Sequence, residues 1–265
     1  MLRATYIGNG RMLVAPAWGG KMVAPSDDLS LMPDLAIQGA FDIGLTNFII
    51  ANVQTGMTVV DVGANIGYIT ILLGHRVGSE GKAIAYECSP KNFEFLEENI
   101  KMNYIPQVGL YQLAVSDTTG DIISFYEPTR FRGSGSTKSE IVDAFKVLAP
   151  FDELKKIEVS TVSLDYHLKD TGFIHFMKID IEGGEYKAFL GMKELIENNK
   201  VGMVAFEMNS SALMDELEPM LNLMKEYRDK GARFFIINLE GILIEQELEH
   251  LFSQVHVDNI VVKFV

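Results

Sequence analysis

Short β-branched runs alternate along this chain with longer stretches whose apolar residues recur at helical spacing. The clearest instance lies at Thr58-Val59-Val60, which stops at Asp61 and gives way to Gly63-Ala64-Asn65-Ile66-Gly67. An apolar stretch from Tyr68 to Leu73 follows, fit for a buried helix. A strand, a glycine loop and a helix in that order make the first crossover of a parallel sheet, and the carboxyl end of such a strand is where open α/β sheets bind ligands. The pattern then repeats. A second strand closes at Glu87, and a helix over residues 90–102 has Ser89 as N-cap, Pro90 at its first position and Phe93, Leu96 and Ile100 on one face. A third strand is expected over 109–115, ending at Ser116-Asp117, with further extended segments over 122–126 and 157–164. The buried fourth strand, 174–179, ends at Asp180, and the fifth, 201–206, at Glu207. Helices are expected over 186–197 and 213–230, and an antiparallel pair over 232–237 and 257–264 finishes the sheet.

The first fifty or so residues stand outside this repeat. Thr5-Tyr6-Ile7 and Met12-Leu13-Val14 flank Gly8-Asn9-Gly10-Arg11, a small hairpin, and residues 34–53 read as a helix with Leu35, Phe41, Leu45, Phe48 and Ile49 on its apolar face. The expected division is an N-terminal extension at 1–52, able to cover a ligand, and one α/β domain at 53–265. Trp18 is expected to anchor a loop rather than to touch an acceptor. Residues 128–139 form the clearest loop, and its Arg130, Arg132 and Lys138 are read as solvated rather than as an anion site.

The loop chemistry narrows the ligand. A dinucleotide loop reads G-x-G-x-x-G, because pyrophosphate needs close backbone and a third small residue for helix packing. Here Asn65 stands where the second glycine belongs, and the carboxylate of Asp61 at the strand end suits a zwitterionic amino-acid group. Glu87, about twenty residues beyond the loop, is placed to accept both ribose hydroxyl protons. Adenosine carrying a methionine tail fits this set better than NAD does, so the expected cofactor is S-adenosylmethionine, with S-adenosylhomocysteine as product.

Five segments, DVGANIGY, AYECSPKNFEFLEENI, LAVSD, VSTVSLD and FMKIDIEGGEYKAFLGM, resemble the FkbM-type family of S-adenosylmethionine-dependent methyltransferases. The similarity is densest from about residue 57 to 209. It implies the class I methyltransferase fold, a Rossmann-like three-layer α/β sandwich on a mostly parallel seven-stranded sheet, and methyl transfer to an oxygen, often a hydroxyl of a sugar or polyketide. Two departures are Cys88, where proline is commoner, and Gly184, where alanine is commoner; the latter weakens the following helix start slightly.

The expected cofactor-binding residues are Asp61, Gly63, Ala64, Asn65, Gly67 and Tyr68 from the first loop, Glu87 and Cys88 from the second strand end, Ala114, Val115 and Ser116 from the third, and Asp180 from the fourth. Asp61 is read as holding the methionine amino group, directly or through water, and Cys88 as a packing residue of the adenosine pocket. Asp117 either belongs to the adenine site or opens the next turn. Asp180 and Glu182 are the candidate general bases, because an acceptor hydroxyl must lose its proton as the methyl arrives. Glu207 is a weaker candidate for the same pocket. Amino-directed enzymes of this class carry an Asn/Asp-Pro-Pro-aromatic element at this strand end, and it is absent from the sequence. The five histidines show no metal-ligand spacing, so no metal is expected; Mg²⁺ held by Asp180 and a second acid, as in some O-methyltransferases of this fold, is the minority reading.

Charge and composition restrict partners. A formal net charge of -13 without a Lys/Arg cluster disfavours nucleic acid and anionic membrane surfaces, so the expected acceptor is a small molecule or glycan bearing a hydroxyl. The single cysteine, Cys88, excludes an intrachain disulfide, and neither a signal-peptide pattern nor a membrane-length apolar run is present; a cytoplasmic, soluble protein is expected. Two rival functions are an NAD-type oxidoreductase and a non-catalytic adenosyl-ligand module.

Overall fold

The computed structural model describes residues 3–264. Three short strands, β1 (Ala4–Gly8), β2 (Arg11–Val14) and β3 (Met22–Pro25), pair antiparallel in that order as a separate sheet, and the first two are the expected hairpin. The helix expected over 34–53 is two helices, α1 (Met32–Ile37) and α2 (Ile43–Asn52). Asp42 causes the second start: its carboxylate accepts from the Leu45 N–H at 3.1 Å, and its own backbone is left-handed. That detour brings Phe41 to the ligand cavity.

The βα alternation follows with β4 (Thr58–Val62), α3 (Tyr68–Val77), β5 (Lys82–Tyr86), α4 (Pro90–Asn103) and β6 (Val108–Tyr111). Ser89 caps α4 as expected, its hydroxyl accepting from Asn92 N–H at 3.2 Å. The third strand is shorter than expected. It leaves the main sheet after Tyr111, and Ala114–Val115 forms β7, paired parallel with Thr161 and Val162. Its partners belong to a long hairpin, β8 (Ile122–Pro128) and β9 (Leu154–Val162), which carries α5 (Ile141–Leu148).

The second half runs α6 (Leu164–His167), β10 (Phe176–Ile179), α7 (Glu185–Leu190), α8 (Lys193–Glu197), β11 (Met203–Asn209), α9 (Ser210–Leu213), α10 (Leu217–Asp229), β12 (Arg233–Ile237), β13 (Leu243–Glu245), α11 (Leu248–Phe252) and β14 (His256–Lys263). The helix expected over 186–197 is divided at Gly191, where an added Cβ would lie 2.1 Å from the Ser116 carbonyl oxygen. Helix and third-strand end touch too closely there for a side chain.

The main sheet has the order β13-β12-β14-β11-β10-β4-β5-β6. Strands from β6 to β11 are parallel, and β14 lies antiparallel between β11 and β12, the closing pair foreseen in the sequence. The eighth strand beyond the expected seven is β13, a three-residue return along β12 after a turn in which the Asn238 side chain accepts from Ile242 N–H at 2.8 Å. Apolar clusters fill both faces of the sheet. One packs α2, α3 and α4 through Phe48, Ile71 and Leu96; the other packs α7, α10 and α11 through Phe189, Met224 and Leu251. This is a three-layer, Rossmann-like α/β fold. Strand order reverses between β4 and β10, which opens a crevice at their carboxyl ends. Among the described residues, no helix is long and apolar enough to cross a membrane.

Candidate active site

At that crevice lies a cavity of about 340 Å³, within the range of small-molecule sites. Its floor is the loop after β4. Gly63 has φ +79°, and a Cβ there would stand 1.9 Å from the Asp180 carbonyl oxygen, so only glycine lets the two strand ends meet. Asn65 is also left-handed, at φ 50°. Its N–H donates to Glu87 Oε2 at 2.7 Å, while Ser89 N–H donates to Glu87 Oε1 at 2.8 Å. The loop and the second strand end are thus fixed to one carboxylate. Glu87 is 6% exposed, and burial pushes its pKa up to about 7 against the pull of those two N–H groups. Each oxygen accepts one of these N–H groups and has capacity for another donor, and Glu87 lines the cavity, which suits a vicinal diol.

Of the residues named from sequence, Gly63, Ala64, Asn65, Tyr68, Glu87, Cys88, Ala114, Val115, Asp180 and Glu182 all line this cavity. Burial, with Glu87 adding to it, raises the Cys88 thiol well above its ordinary value, so it is not a thiolate nucleophile. Asp61, Gly67 and Ser116 do not line it. Gly67 precedes α3 against Leu96, and the Ser116 hydroxyl donates to Asp117 at 3.0 Å. Asp61 is 1% exposed; its Oδ2 accepts from the Thr70 hydroxyl at 2.5 Å, and its Oδ1 lies 3.6 Å from Lys178 Nζ. Trp18 packs edge-on against Tyr68 with centroids 5.6 Å apart, and neither it nor His75 reaches the cavity.

Lys178 is the central cation. It sits in a fully buried strand, donates to the Gly63 carbonyl at 2.9 Å and lies 3.2 Å from Asp180. Burial opposes its charge, but Asp180 and Asp61 outweigh burial and hold its pKa above the ordinary lysine value. Beyond it, Asp180, Glu182 and Glu207 each bring a carboxylate oxygen within 4.8 Å of the others. Burial first, then Asp180, raises Glu182 to about 8 and Glu207 to about 10. Glu182 has a left-handed backbone, φ 51°, in a turn clamped by Glu185, whose carboxylate accepts from Ile181 and Gly183 N–H groups at 3.0 Å. Of these three acids, Asp180 already has the Lys178 ammonium beside it at 3.2 Å.

The remaining wall of the cavity comes from residues that the sequence did not single out as site residues. Ser30, Leu31 and Phe41 arrive from the N-terminal segment, and Phe131, Arg132 and Thr137 from the 128–139 loop. That loop is pinned at both ends. Gly133 N–H donates to the Ser30 hydroxyl at 2.9 Å, the Ser136 hydroxyl donates to the Glu182 carbonyl at 2.7 Å, and Lys138 pairs with Glu216 at 2.8 Å. Its Arg132, read from sequence as solvated, lies 3.6 Å from Asp27 with its side chain only 15% exposed. One signal was available beforehand: a lysine inside the otherwise apolar Phe176–Ile179 run, flanked by Asp180, is costly unless partnered. The loop contacts carried none.

The family model described as the methyltransferase FkbM domain matches residues 61–234. No curated protein matches the chain. Similar solved structures include an O-methyltransferase from Bacillus cereus in complex with SAH, at 11% identity and TM-score 0.45, covering 87% of this chain and 84% of that one. Fibrillarin from Aeropyrum pernix with natively bound S-adenosyl-L-methionine is 10% identical, with full coverage of both chains and TM-score 0.44. An rRNA methylase from Streptococcus thermophilus is 10% identical over 83% of this chain and 94% of that one, with TM-score 0.45. The family match runs from the end of β4 into β12, more than half of the 265 residues, and the chain therefore belongs to the FkbM methyltransferase domain family.

Proposed function

We propose that the protein transfers a methyl group from S-adenosylmethionine to a hydroxyl of a small molecule or glycan. The observation that carries this reading is the meeting, in one cavity, of a diol-accepting carboxylate at Glu87 with the acids Asp180 and Glu182 at the neighbouring strand end. Glu87 accepts the ribose hydroxyls, Ala114, Val115 and Cys88 wall the adenine, and Gly63, Ala64 and Asn65 approach the methionine tail with backbone. Asp61 acts on that tail at second hand, by holding Lys178. When bound, the donor supplies an activated methyl on a sulfonium; the protein's part is alignment and proton removal. Asp180 or Glu182 takes the acceptor proton, a role worth about 10²–10⁴-fold for positioned bases.

Residues 1–52 are proposed to cover the site, since Ser30, Leu31 and Phe41 line it, with the cofactor domain spanning 53–265. The net charge of -13 and the acids of the cavity speak for a neutral or cationic acceptor over a nucleic acid, and a cytoplasmic setting accords with a single unpaired cysteine. Calorimetric titration with S-adenosylmethionine, S-adenosylhomocysteine and NADH tests the donor. Micromolar binding of both adenosyl ligands, lost in Glu87→Ala, is expected; binding of NADH alone refutes the reading. A screen of hydroxylated glycans and small molecules for methyl uptake then tests the acceptor class.

A further inference from the structure

Asp180, Glu182 and Glu207 stand too close together to be ionised at once without compensating cations. The charged and titratable groups around them are Lys178 on β10, Asp61 on β4, Asp42 ahead of α2, Glu185 on α7 and His256 on β14. Lys178 is the one permanent cation of that set, and it is shared between Asp180, Asp61 and the Gly63 carbonyl. His256 Nδ1 lies 3.3 Å from Glu207, but its Nε2 is turned to Asp258 at 2.7 Å. The cluster is short of positive charge, and burial with the neighbouring carboxylates raises Glu182 and Glu207 toward their protonated forms. It also lines the same cavity as Glu87, so a donor whose ribose is held by Glu87 would bring its sulfonium, one bond beyond the ribose C5′, toward these acids.

Resting on the methyl-donor reading above, we propose that Glu182 and Glu207, crowded against Asp180, act as one charge-matched proton store. The store gives up a proton when the sulfonium is bound and refills from the acceptor hydroxyl when the sulfonium is consumed. The acceptor oxygen forms its bond to the methyl carbon, the carbon–sulfur bond breaks with its electron pair left on sulfur, and the hydroxyl proton passes to the emptied carboxylate. Sulfur loses one positive charge as the cluster gains one proton, so the net charge of the site is the same before and after transfer. Glu207 thereby joins Asp180 and Glu182 in the reaction. The same device makes donor and product distinguishable, because the neutral thioether does not discharge the cluster.

The test needs no acceptor. Calorimetric titrations with S-adenosylmethionine and with S-adenosylhomocysteine at pH 7.5, in buffers of different ionisation enthalpy, give the protons released by each. Proton loss from Glu87 is common to both ligands and cancels in the difference. The donor is expected to release about one proton more than the product, with the excess falling by at least half in Glu182→Gln and in Glu207→Gln while both variants still bind S-adenosylhomocysteine. That retained binding also shows that the variants are folded. Equal proton release by the two ligands in the unmodified protein overturns the proposal, as does an excess that survives in both variants. If neither ligand binds the unmodified protein, the donor reading falls first and this proposal with it.

Discussion

Replacing Gly63 by alanine tests whether the close approach of β4 and β10 makes the site. At this position φ is +79°, and the new Cβ would sit 1.9 Å from the Asp180 carbonyl oxygen, 3.0 Å from its carbon and 3.1 Å from Ile181 Cγ2. Ordinary carbon–oxygen contacts are about 3.3 Å or more, so the strand ends must part by roughly 1.4 Å. That opening breaks two bonds which cross the gap, Asp180 N–H to the Val62 carbonyl at 3.1 Å and Lys178 Nζ to the Gly63 carbonyl at 2.9 Å. Each buried group left unpaired costs about 1–3 kcal/mol, and the left-handed backbone adds about 1–2 kcal/mol for alanine. The sum is a loss of about 3–8 kcal/mol. Gly56→Ala is the control: φ is +87°, but nothing lies within 4 Å of its Cβ, so only the backbone cost of about 1–2 kcal/mol applies. Urea unfolding of both variants measures the difference. Gly63→Ala is expected to lose at least about 2 kcal/mol more than Gly56→Ala and to bind no S-adenosylhomocysteine. Equal losses in the two variants would refute the close-approach argument.

Affinity for S-adenosylhomocysteine should fall about tenfold per pH unit below pH 7 and level off above it, because ribose hydroxyls donate to ionised Glu87 and its pKa stands at about 7; a flat calorimetric profile from pH 5 to 8 removes Glu87 from the ribose site. The ligand-free protein should lose stability as pH rises. Glu87 and Glu185, at about 7, and Glu182, at about 8, lie above their unfolded value of 4.5, so their contribution is whole below pH 4.5 and lost on rising through pH 7–8. Glu87 alone accounts for about 3 kcal/mol of that loss, and melting temperatures that climb between pH 5 and 8 contradict it. Binding of S-adenosylmethionine should be the same with and without EDTA, since Lys178 is the cation at Asp180; a loss of affinity on chelation, restored by Mg²⁺, would make the acid cluster a metal site. Thr70→Val strips Asp61 of its hydroxyl donor and should cost about 2 kcal/mol in urea unfolding; a change under 0.5 kcal/mol would show that Lys178 alone satisfies the carboxylate.

Local order in the chain was enough to define the frame of the protein. Thr58 to Gly67 announce a strand, a tight loop and a buried helix, because periodicity and glycine placement act over one turn or one strand. The spacing from that loop to Glu87 placed a carboxylate where Asn65 and Ser89 hold it, and Asp180 and Glu182 fell at a strand end that the sheet order turns into a crevice. Tertiary structure alone decided what crosses between elements. Asp61 was legible as an acid at a strand end, but its turn toward Thr70 and Lys178 depends on which face of β4 is buried against α3 and β10. Ala114 and Val115 were legible as strand, yet they stand outside the main sheet and pair with Thr161 and Val162, more than forty residues downstream. Ser30, Phe41, Arg132 and Glu207 converge on one cavity from four separate stretches of chain. No periodicity encodes that meeting, because such contacts are set by how layers pack and not by the spacing of residues along the chain.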